Sequence, residues 1–395
     1  MSDFRLSFAS SSQDNGSYRL MELPADLYKR VEAGESLRMI IKGRADDDAV
    51  ICTEDKTYSL RAVVLSNTTL IVTPPRSYDA NQDADVVIRD QVSQILELVP
   101  VVPKVAGRLN TLLRDAEYRE GHEDDEDASG GSDEETRPTK RRRIKYDELK
   151  DHIQASDVEL AQSLKNGRVL QLKGEMRPLE RGYLAQMLKL LLNTMVAQSM
   201  SADAALVDEL ILSLEEHDIP RDVASQILPW FGTVSENHWA ANLESIAREI
   251  GLSILQSYSD QGVLLDEFLQ IWADAMSDSF ISAIDMRLLE GNFIQNSIFA
   301  RGPGDESQEG ASAISALTRR AQLVYLPASS LPIDPAMRFN DLFIVKARWK
   351  ADELAPFLAD IAVDSKARDK LLLKWCRTAT DPDGTLWYTL RSKHI

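Results

Sequence analysis

The sequence predicts an α+β protein. An N-terminal β domain, barrel-like but too poor in strands to close on its own, precedes a mainly helical C-terminal array of winged-helix units. Three observations predict this. Between residues 37 and 72 apolar residues alternate with polar ones or gather in short runs, the pattern of strands. Beyond residue 145 the apolar spacing lengthens to that of amphipathic helices. Between the two lie the acidic runs Glu123 to Asp127 and Asp133 to Glu135 and the basic run Lys140 to Arg143, a composition that cannot bury enough apolar surface to fold.

The N-terminal elements follow in order. The polar start from Met1 to Ser17 lacks the apolar region of a signal peptide. Tyr18 to Leu23 is expected as a strand, and Pro24 to Val31 as a short helix with proline at its start and Gly34 just past its end. Leu37, Met39 and Ile41 alternate, Val50 to Cys52 is short and apolar, Tyr58 to Leu65 is long, and Leu70 to Val72 closes the block. Lys42-Gly43 and Ser66-Asn67 supply turn residues between these runs. Tyr58, Leu60, Ala62 and Val64 share one face, expected to be buried, while Thr57, Ser59 and Arg61 share the other. The runs that could join them, Arg5 to Phe8, Tyr18 to Glu22 and Val86 to Leu98, are few and uneven. A barrel is hard to complete from these, and exposed edges would then need another chain; an ordinary self-sufficient sheet is the alternative. Pro74-Pro75 breaks the block, Val86 to Val102 resumes it until Pro100 and Pro103, and Leu109, Leu112 and Leu113 mark a short helix. The β domain is therefore placed at 1–115, with a disordered acidic and basic linker at 116–145.

Helices Tyr146 to Ile153 and Ser156 to Leu164 come next, the second opened by a capping box of Ser156 and Glu159, with Gly167 as its stop and Arg168 to Leu172 as a strand. This winged-helix order, with the apolar connector helix Leu184 to Val196, fills 146–200. A second such unit at 201–313 holds helices Val207 to Glu216, Arg221 to Leu228, Leu243 to Ile250, Leu264 to Met276 and Met286 to Phe293, then a loop from Gly302 to Ser312. The final unit, 314–395, shows the order in full. A helix from Asp334 to Val345, a strand at Arg348-Trp349, and helices Asp352 to Asp360 and Ser365 to Cys376 lead to a hairpin turned by Asp381-Pro382-Asp383-Gly384, with Trp387 to Leu390 returning. No repeat of fixed short period is evident.

The chemistry is that of binding. The 395 residues carry a formal charge of -18, which argues against a chain coated in nucleic acid but leaves room for local basic patches. Two cysteines, Cys52 and Cys376, give neither a disulfide framework nor a thiol cluster. No apolar run reaches the roughly 20 residues that span a bilayer, so a soluble intracellular chain without membrane partners is expected. There is no phosphate-binding glycine loop, no H-E-x-x-H and no cysteine pair at zinc spacing, so no enzyme, metal or cofactor is expected. His217, close to a helix end, is expected to meet carbonyls there. Lys366, Lys370, Lys374 and Arg377 recur at steps of four, four and three, with Ala367, Leu371, Leu372 and Trp375 toward the core and Leu373 unexplained on the basic side. From Arg338 to Ile395 eleven Lys or Arg stand against eight Asp or Glu. That stripe suits DNA phosphates, with Arg391 and Lys393 reaching from the wing; a merely solvated helix face is the alternative. Lys140, Arg141, Arg142 and Arg143 match a nuclear-import signal or a solvated charge run, and Ser129 and Ser132 sit in an acidic context suited to phosphorylation.

Two sets of residues carry a family resemblance. The first is Tyr18-Arg19-Leu20-Met21-Glu22-Leu23-Pro24, Ile41-Lys42-Gly43, Cys52 to Arg61 and Ser66-Asn67; the second is Leu342-Phe343, Trp349, Glu353-Leu354, Pro356-Phe357-Leu358 and Tyr388-Thr389-Leu390-Arg391. Together they resemble the "defective in sister chromatid cohesion, subunit one" family, with the segment 117–145 departing as a lineage-specific insertion. The resemblance implies a non-catalytic adaptor subunit of the alternative, replication-factor-C-like clamp loader used in cohesion establishment. It implies a β segment completed into a joint barrel by the small subunit and the tail of the large ATPase subunit, with Tyr58, Leu60, Arg61 and Leu70 as the docking residues expected here. It further implies winged helices on single- or double-stranded DNA, engagement of the catalytic subunit of DNA polymerase epsilon, ATP hydrolysis left to other subunits, and a nuclear location. A nuclear winged-helix transcription regulator is the competing expectation, and it would need base readout.

Overall fold

A computed structural model describes residues 4–8, 17–73, 84–121, 143–301, 317–382 and 384–391. The chain divides into two compact units, Met1–Pro103 with Lys150–Ala161, and Lys104–Leu149 with Gln162–Ile395. The whole is mixed α+β: an N-terminal mixed sheet, then helices interleaved with small antiparallel hairpins consistent with winged helices.

The first unit holds β1 (Phe4–Phe8), β2 (Leu20–Glu22), α1 (Ala25–Glu32), β3 (Ile40–Lys42), β4 (Val50–Cys52), β5 (Thr57–Thr73) and β6 (Ala84–Pro100). Their order in the sheet is β1-β6-β5-β4-β3, with β2 also on β6; β1 and β2 join in parallel and the rest pair antiparallel. The core beneath is small, built of Leu27, Ile51, Tyr58 and Leu98 with Leu23, Leu37 and Leu60 against it. Strands of 17 residues therefore run well past this core, although Ile88 and Val92 on β6 are buried beyond it.

That mismatch corrects three expectations. Ser66-Asn67 does not turn the chain: β5 runs through it, and the extra residues are absorbed where the register jumps from Val64↔Gln94 to Thr69↔Val92. The face of Tyr58, Leu60, Ala62 and Val64 is buried only at its start, since Val64 is 72% exposed. The expected strand from Leu37 shrinks to Ile40–Lys42, at the sheet edge with Ile41 68% exposed.

Further along come α2 (Val105–Leu113), α3 (Tyr146–His152), α4 (Asp157–Asn166), β7 (Val169–Leu172), β8 (Glu175–Pro178) and α5 (Arg181–Ala197). Next are β9 (Ala205–Leu206), α6 (Val207–Glu215), α7 (Arg221–Ile227), β10 (Gly232–Ser235), β11 (His238–Ala241) and α8 (Leu243–Ser257). Then follow β12 (Val263–Leu264), α9 (Leu265–Met276), β13 (Phe293–Arg301), β14 (Leu317–Tyr325) and α10 (Pro335–Val345). The last are β15 (Trp349–Lys350), α11 (Ala351–Leu354), α12 (Ser365–Trp375), β16 (Cys376–Thr380) and β17 (Leu386–Leu390). The expected capping box is present: Ser156 Oγ accepts from Glu159 N at 3.2 Å and Glu159 Oε2 from Ser156 N at 3.1 Å.

One order of elements recurs. Helix, short strand, two helical segments and a two-stranded hairpin describe α5 to β11, α8 to β14 and α10 to β17, and each time the last strand of the hairpin sits in the middle of a three-stranded sheet. The same order is met earlier in α2, Lys145, α3, α4 and β7–β8, with Lys145 bridged to Glu175 on β8. The repetition lies in the elements rather than in the sequence, because each unit satisfies the same backbone pairing with different side chains.

Helical expectations fail at identifiable residues. Met286 to Phe293 gives only a 3-10 turn, Met286–Leu289; Gly291, at φ +75°, ends it, and Phe293 opens β13, a strand not expected from sequence. Asp352 to Asp360 is cut to α11 and a 3-10 turn, Ala355–Leu358, because Pro356 lacks an amide hydrogen. Cys376 and Arg377 belong to β16, not to the preceding helix. The loop Gly302 to Ser312 lies outside the described residues.

The second unit has a large core around α5 to α9, including Leu188, Leu192, Leu210, Trp239, Ile250, Phe268 and Trp272. A second core, with Phe339, Leu342, Trp349, Phe357 and Trp375, holds the last repeat. Each contains a buried charge. Glu249, its side chain 3% exposed, receives Nε of both Arg168 and Arg181 at 3.1 Å. Arg338, fully buried, donates to the carbonyls of Ala328, Leu331, Pro332 and Phe357 and forks onto the Asp360 carboxylate. Buried charges of this kind are tolerated only when nearly every donor is matched.

Candidate docking edge and basic helix face

Beyond Ser59, β5 pairs with β6 alone: β4 reaches only Thr57 to Ser59, so from Leu60 to Thr73 its other edge carries no strand among the described residues. Such an edge presents free amides and carbonyls to any extended chain. Apolar side chains lie exposed along it and on β3 and β1, namely Val64, Leu70, Val72, Ile41, Leu6 and Phe8. Of the residues expected to dock a partner, Arg61 and Leu70 stand on this surface, with Arg61 facing Glu97 at 3.8 Å. Leu60 is half-buried and Tyr58 lies wholly inside the small core. Tyr58 Oη donates to Asp26 Oδ2 at 3.3 Å, and burial together with that carboxylate pushes its phenol up to about 12. Lys56 Nζ, 2.9 Å from the same oxygen, holds the Asp26 carboxyl below its ordinary range.

The motif residues around this edge are mostly fold-holders. Lys42 Nζ donates to the carbonyls of Lys150, Ile153 and Ala155 at 3.1, 3.5 and 2.8 Å. Gly43, at φ +156°, leaves room for the Gln154 amide, which donates to the carbonyls of Lys42 and Asp48. Thr57 Oγ1 donates to Glu159 Oε2 at 2.6 Å and accepts from Ser156 N at 3.0 Å. Thr53 closes the turn onto Lys56, accepting from its amide at 3.0 Å. Cys52, beside Thr57, is a buried thiol pushed up by burial. The segment Lys150–Ala161 is thus tied to the sheet through Ile41-Lys42-Gly43 and Thr57, a long-range role that local pattern cannot show.

On α12, Asp364 caps the first turn by accepting from Ala367 N. Ala367, Leu371 and Leu372 are half-buried and Trp375 is buried, stacked 6.3 Å from Phe339. Lys366, Lys370 and Lys374 are exposed, none pairs with a carboxylate among the described residues, and Lys374 Nζ lies over the Trp375 ring, 5.0 Å from its centroid. Leu373, 69% exposed, sits among them. Arg377 is exposed on β16, so the stripe continues from helix to strand. Arg391 Nε is engaged, donating to Cys376 O at 2.8 Å, while the Cys376 thiol is pushed up to about 12 by burial. Lys393 lies outside the described residues, as do Lys140, Arg141, Arg142, Ser129 and Ser132; Arg143 is 3.3 Å from Glu175.

The equivalent helix of the preceding full repeats is not free in this way. On α7, Gln226 exchanges hydrogen bonds with the backbone of Gln171 on β7, and Arg221 is paired with Asp208 and Glu215. In the next repeat the place is taken by 3-10 turns. Trp387 on β17 has its ring 4.8 Å from the Arg348 guanidinium and 5.6 Å from Lys350 Nζ. His217 Nδ1 lies 2.9 Å from Ser213 O, as its place near a helix end suggests. Among the described residues no group of three or more His, Cys, Asp or Glu is placed to hold a metal ion, and no helix is long and apolar enough to cross a membrane.

A family model described as "Sister chromatid cohesion protein Dcc1" matches residues 18–358. The chain belongs to the Dcc1 family. Curated relatives named "Sister chromatid cohesion protein DCC1" align along most of it. The protein of Xenopus tropicalis is 25% identical over 94% of this chain and 88% of its own length. That of Homo sapiens is 23% identical, over 92% and 86%. That of Saccharomyces cerevisiae is 22% identical, over 93% and 95%. The Dcc1 family match takes in the sheet from β2 onward, the Lys42 clasp and the repeats as far as Leu358. The basic face of α12 lies beyond that limit.

Proposed function

We propose that this chain is a non-catalytic adaptor subunit of an alternative clamp loader, docked through its N-terminal sheet to the small subunit and the large ATPase subunit. On this reading its winged helices reach DNA and the catalytic subunit of DNA polymerase epsilon, in support of sister chromatid cohesion and DNA replication in the nucleus. The observation that carries the reading is the open edge of β5, with Val64, Leu70 and Val72 exposed beside it. A strand paired on one side from Leu60 to Thr73 among the described residues, with Val64, Leu70 and Val72 exposed, is an aggregation hazard unless another chain covers it. Membership of a family named for sister chromatid cohesion supports the same assignment. On the DNA side the proposed contacts are Lys366, Lys370, Lys374 and Arg377, with Arg391 and Lys393 alongside, and Lys140 to Arg143 would serve import.

The test is affinity purification of the tagged full chain from replicating nuclei, compared with Val64→Asp/Leu70→Asp/Val72→Asp. These are surface positions, so circular dichroism and Tm should not change. Clamp-loader subunits are expected with the parent chain and not with the variant. Equal recovery with both overturns the docking site, and transcription machinery in their place overturns the adaptor reading in favour of a promoter-selecting regulator.

A further inference from the structure

Within the second unit, a small cavity of about 170 Å3 opens where the third and fourth occurrences of the repeat meet. Its floor is apolar, formed by Phe293, Ile294, Trp349, Pro356 and Phe357. Its volume is below the roughly 300 Å3 at which cofactor pockets begin. It suits one large apolar side chain. Gly291 shapes the wall, since a Cβ there would lie 3.2 Å from Pro356 Cβ.

The cavity lies beside a strand edge. β13 is the outer strand of the sheet β12-β14-β13, and among the described residues nothing pairs with its far side, where Gln295 and Ser297 are exposed. The rim is acidic. Lys346 is its cation, and it is already held by Glu353 Oε2 at 2.6 Å and lies over the Trp349 ring. Glu290 and Asp352 are exposed and pair with no cation among the described residues.

We infer that the β13 edge and this cavity form a docking site for an extended partner segment that places one large apolar side chain in the cavity and flanks it with lysine or arginine. The edge supplies backbone hydrogen bonds, the cavity selects the anchor and the two carboxylates select the flanking charge. This inference goes beyond the adaptor reading and does not depend on the β5 edge or on α12.

The test uses the full chain and three fluorescein-labelled heptapeptides read by anisotropy: Lys-Val-Arg-Phe-Arg-Val-Lys, the same with central alanine, and Glu-Val-Glu-Phe-Glu-Val-Glu. The first is expected to bind at least about tenfold more tightly than either of the others. In Glu290→Lys/Asp352→Lys, a surface change whose fold is checked by Tm, the preference between basic and acidic peptides should reverse. The alanine control separates the site from general attraction to a chain of charge -18. An unchanged preference in the double variant overturns the inference. So does equal binding of the phenylalanine and alanine peptides. A concentration-dependent dimer abolished by the double variant would give the edge to a second copy and overturn it as well.

Discussion

Arg338 shows how much one residue can hold. It is fully buried on α10 and ties four backbone carbonyls and the Asp360 carboxylate into the core of the last repeat. Arg338→Met removes the guanidinium donors from those acceptors, and Arg338→Lys cannot reproduce the planar fork. Each should cost about 3–5 kcal/mol, the usual loss when one side of a buried ionic network is removed, measured as a shift in urea midpoint. Tyr58 gives a pH-dependent counterpart. Its folded phenol, at about 12, lies above the unfolded value near 10. Its contribution is therefore complete below pH 10 and is lost as pH rises toward 12, because the unfolded chain gives up the proton first. Tyr58→Phe should lose less stability than the parent between pH 9 and 11, and the difference absorbance of the two should mark an ionisation near 12. Neither role was visible in the sequence: an arginine in an apolar helix and a tyrosine in a strand look ordinary until their long-range partners are known.

At the scale of elements, α12 is the helix whose sequence pattern and structure agree most closely. Asp364 caps it, its apolar side meets the core and its lysines face solvent. Periodicity suffices there because a surface helix on a packed core has one dry side and one wet one. On the proposed DNA reading, Lys366→Glu/Lys370→Glu/Lys374→Glu should reduce the slope of log affinity against log salt by about one unit for each phosphate that the helix no longer neutralises. Titrations of labelled duplex at several salt concentrations measure this, and an unchanged slope removes α12 from the interface. β5 shows the opposite case. Ser66-Asn67 carries turn chemistry, yet β6 pairs with the strand on both sides of it, and a bulge costs less than surrendering the ladder from Thr69 to Thr73. β13 and β14 went unseen for a related reason, since only Phe293 of β13 was read at all, as the end of a helix, and the pairing of the two strands is settled only across the sheet.

For the whole molecule, the sequence by itself determined the class of protein and the order of its parts. Apolar runs marked β4 and β6, alternation marked the start of β5, the helical pattern marked α4, α5, α6, α9 and α12, and proline and glycine marked many of the ends, because these signals are set by neighbours along the chain. The motif residues pointed to the family now assigned. Tertiary structure alone decided three further matters. It gave Lys150–Ala161 to the N-terminal unit through Lys42, Thr57 and Gln154, contacts across roughly a hundred residues that no local period encodes. It set the bounds of the recurring element order, at α5 to β11, α8 to β14 and α10 to β17. And it decided which apolar residues lie uncovered. Tyr58 and Val64 occupy the same face of one strand, and only the reach of the small core, ending near Leu60, buries the first and leaves the second in solvent. Local sequence fixes which way a side chain points, whereas the packing of distant segments fixes whether anything is there to meet it.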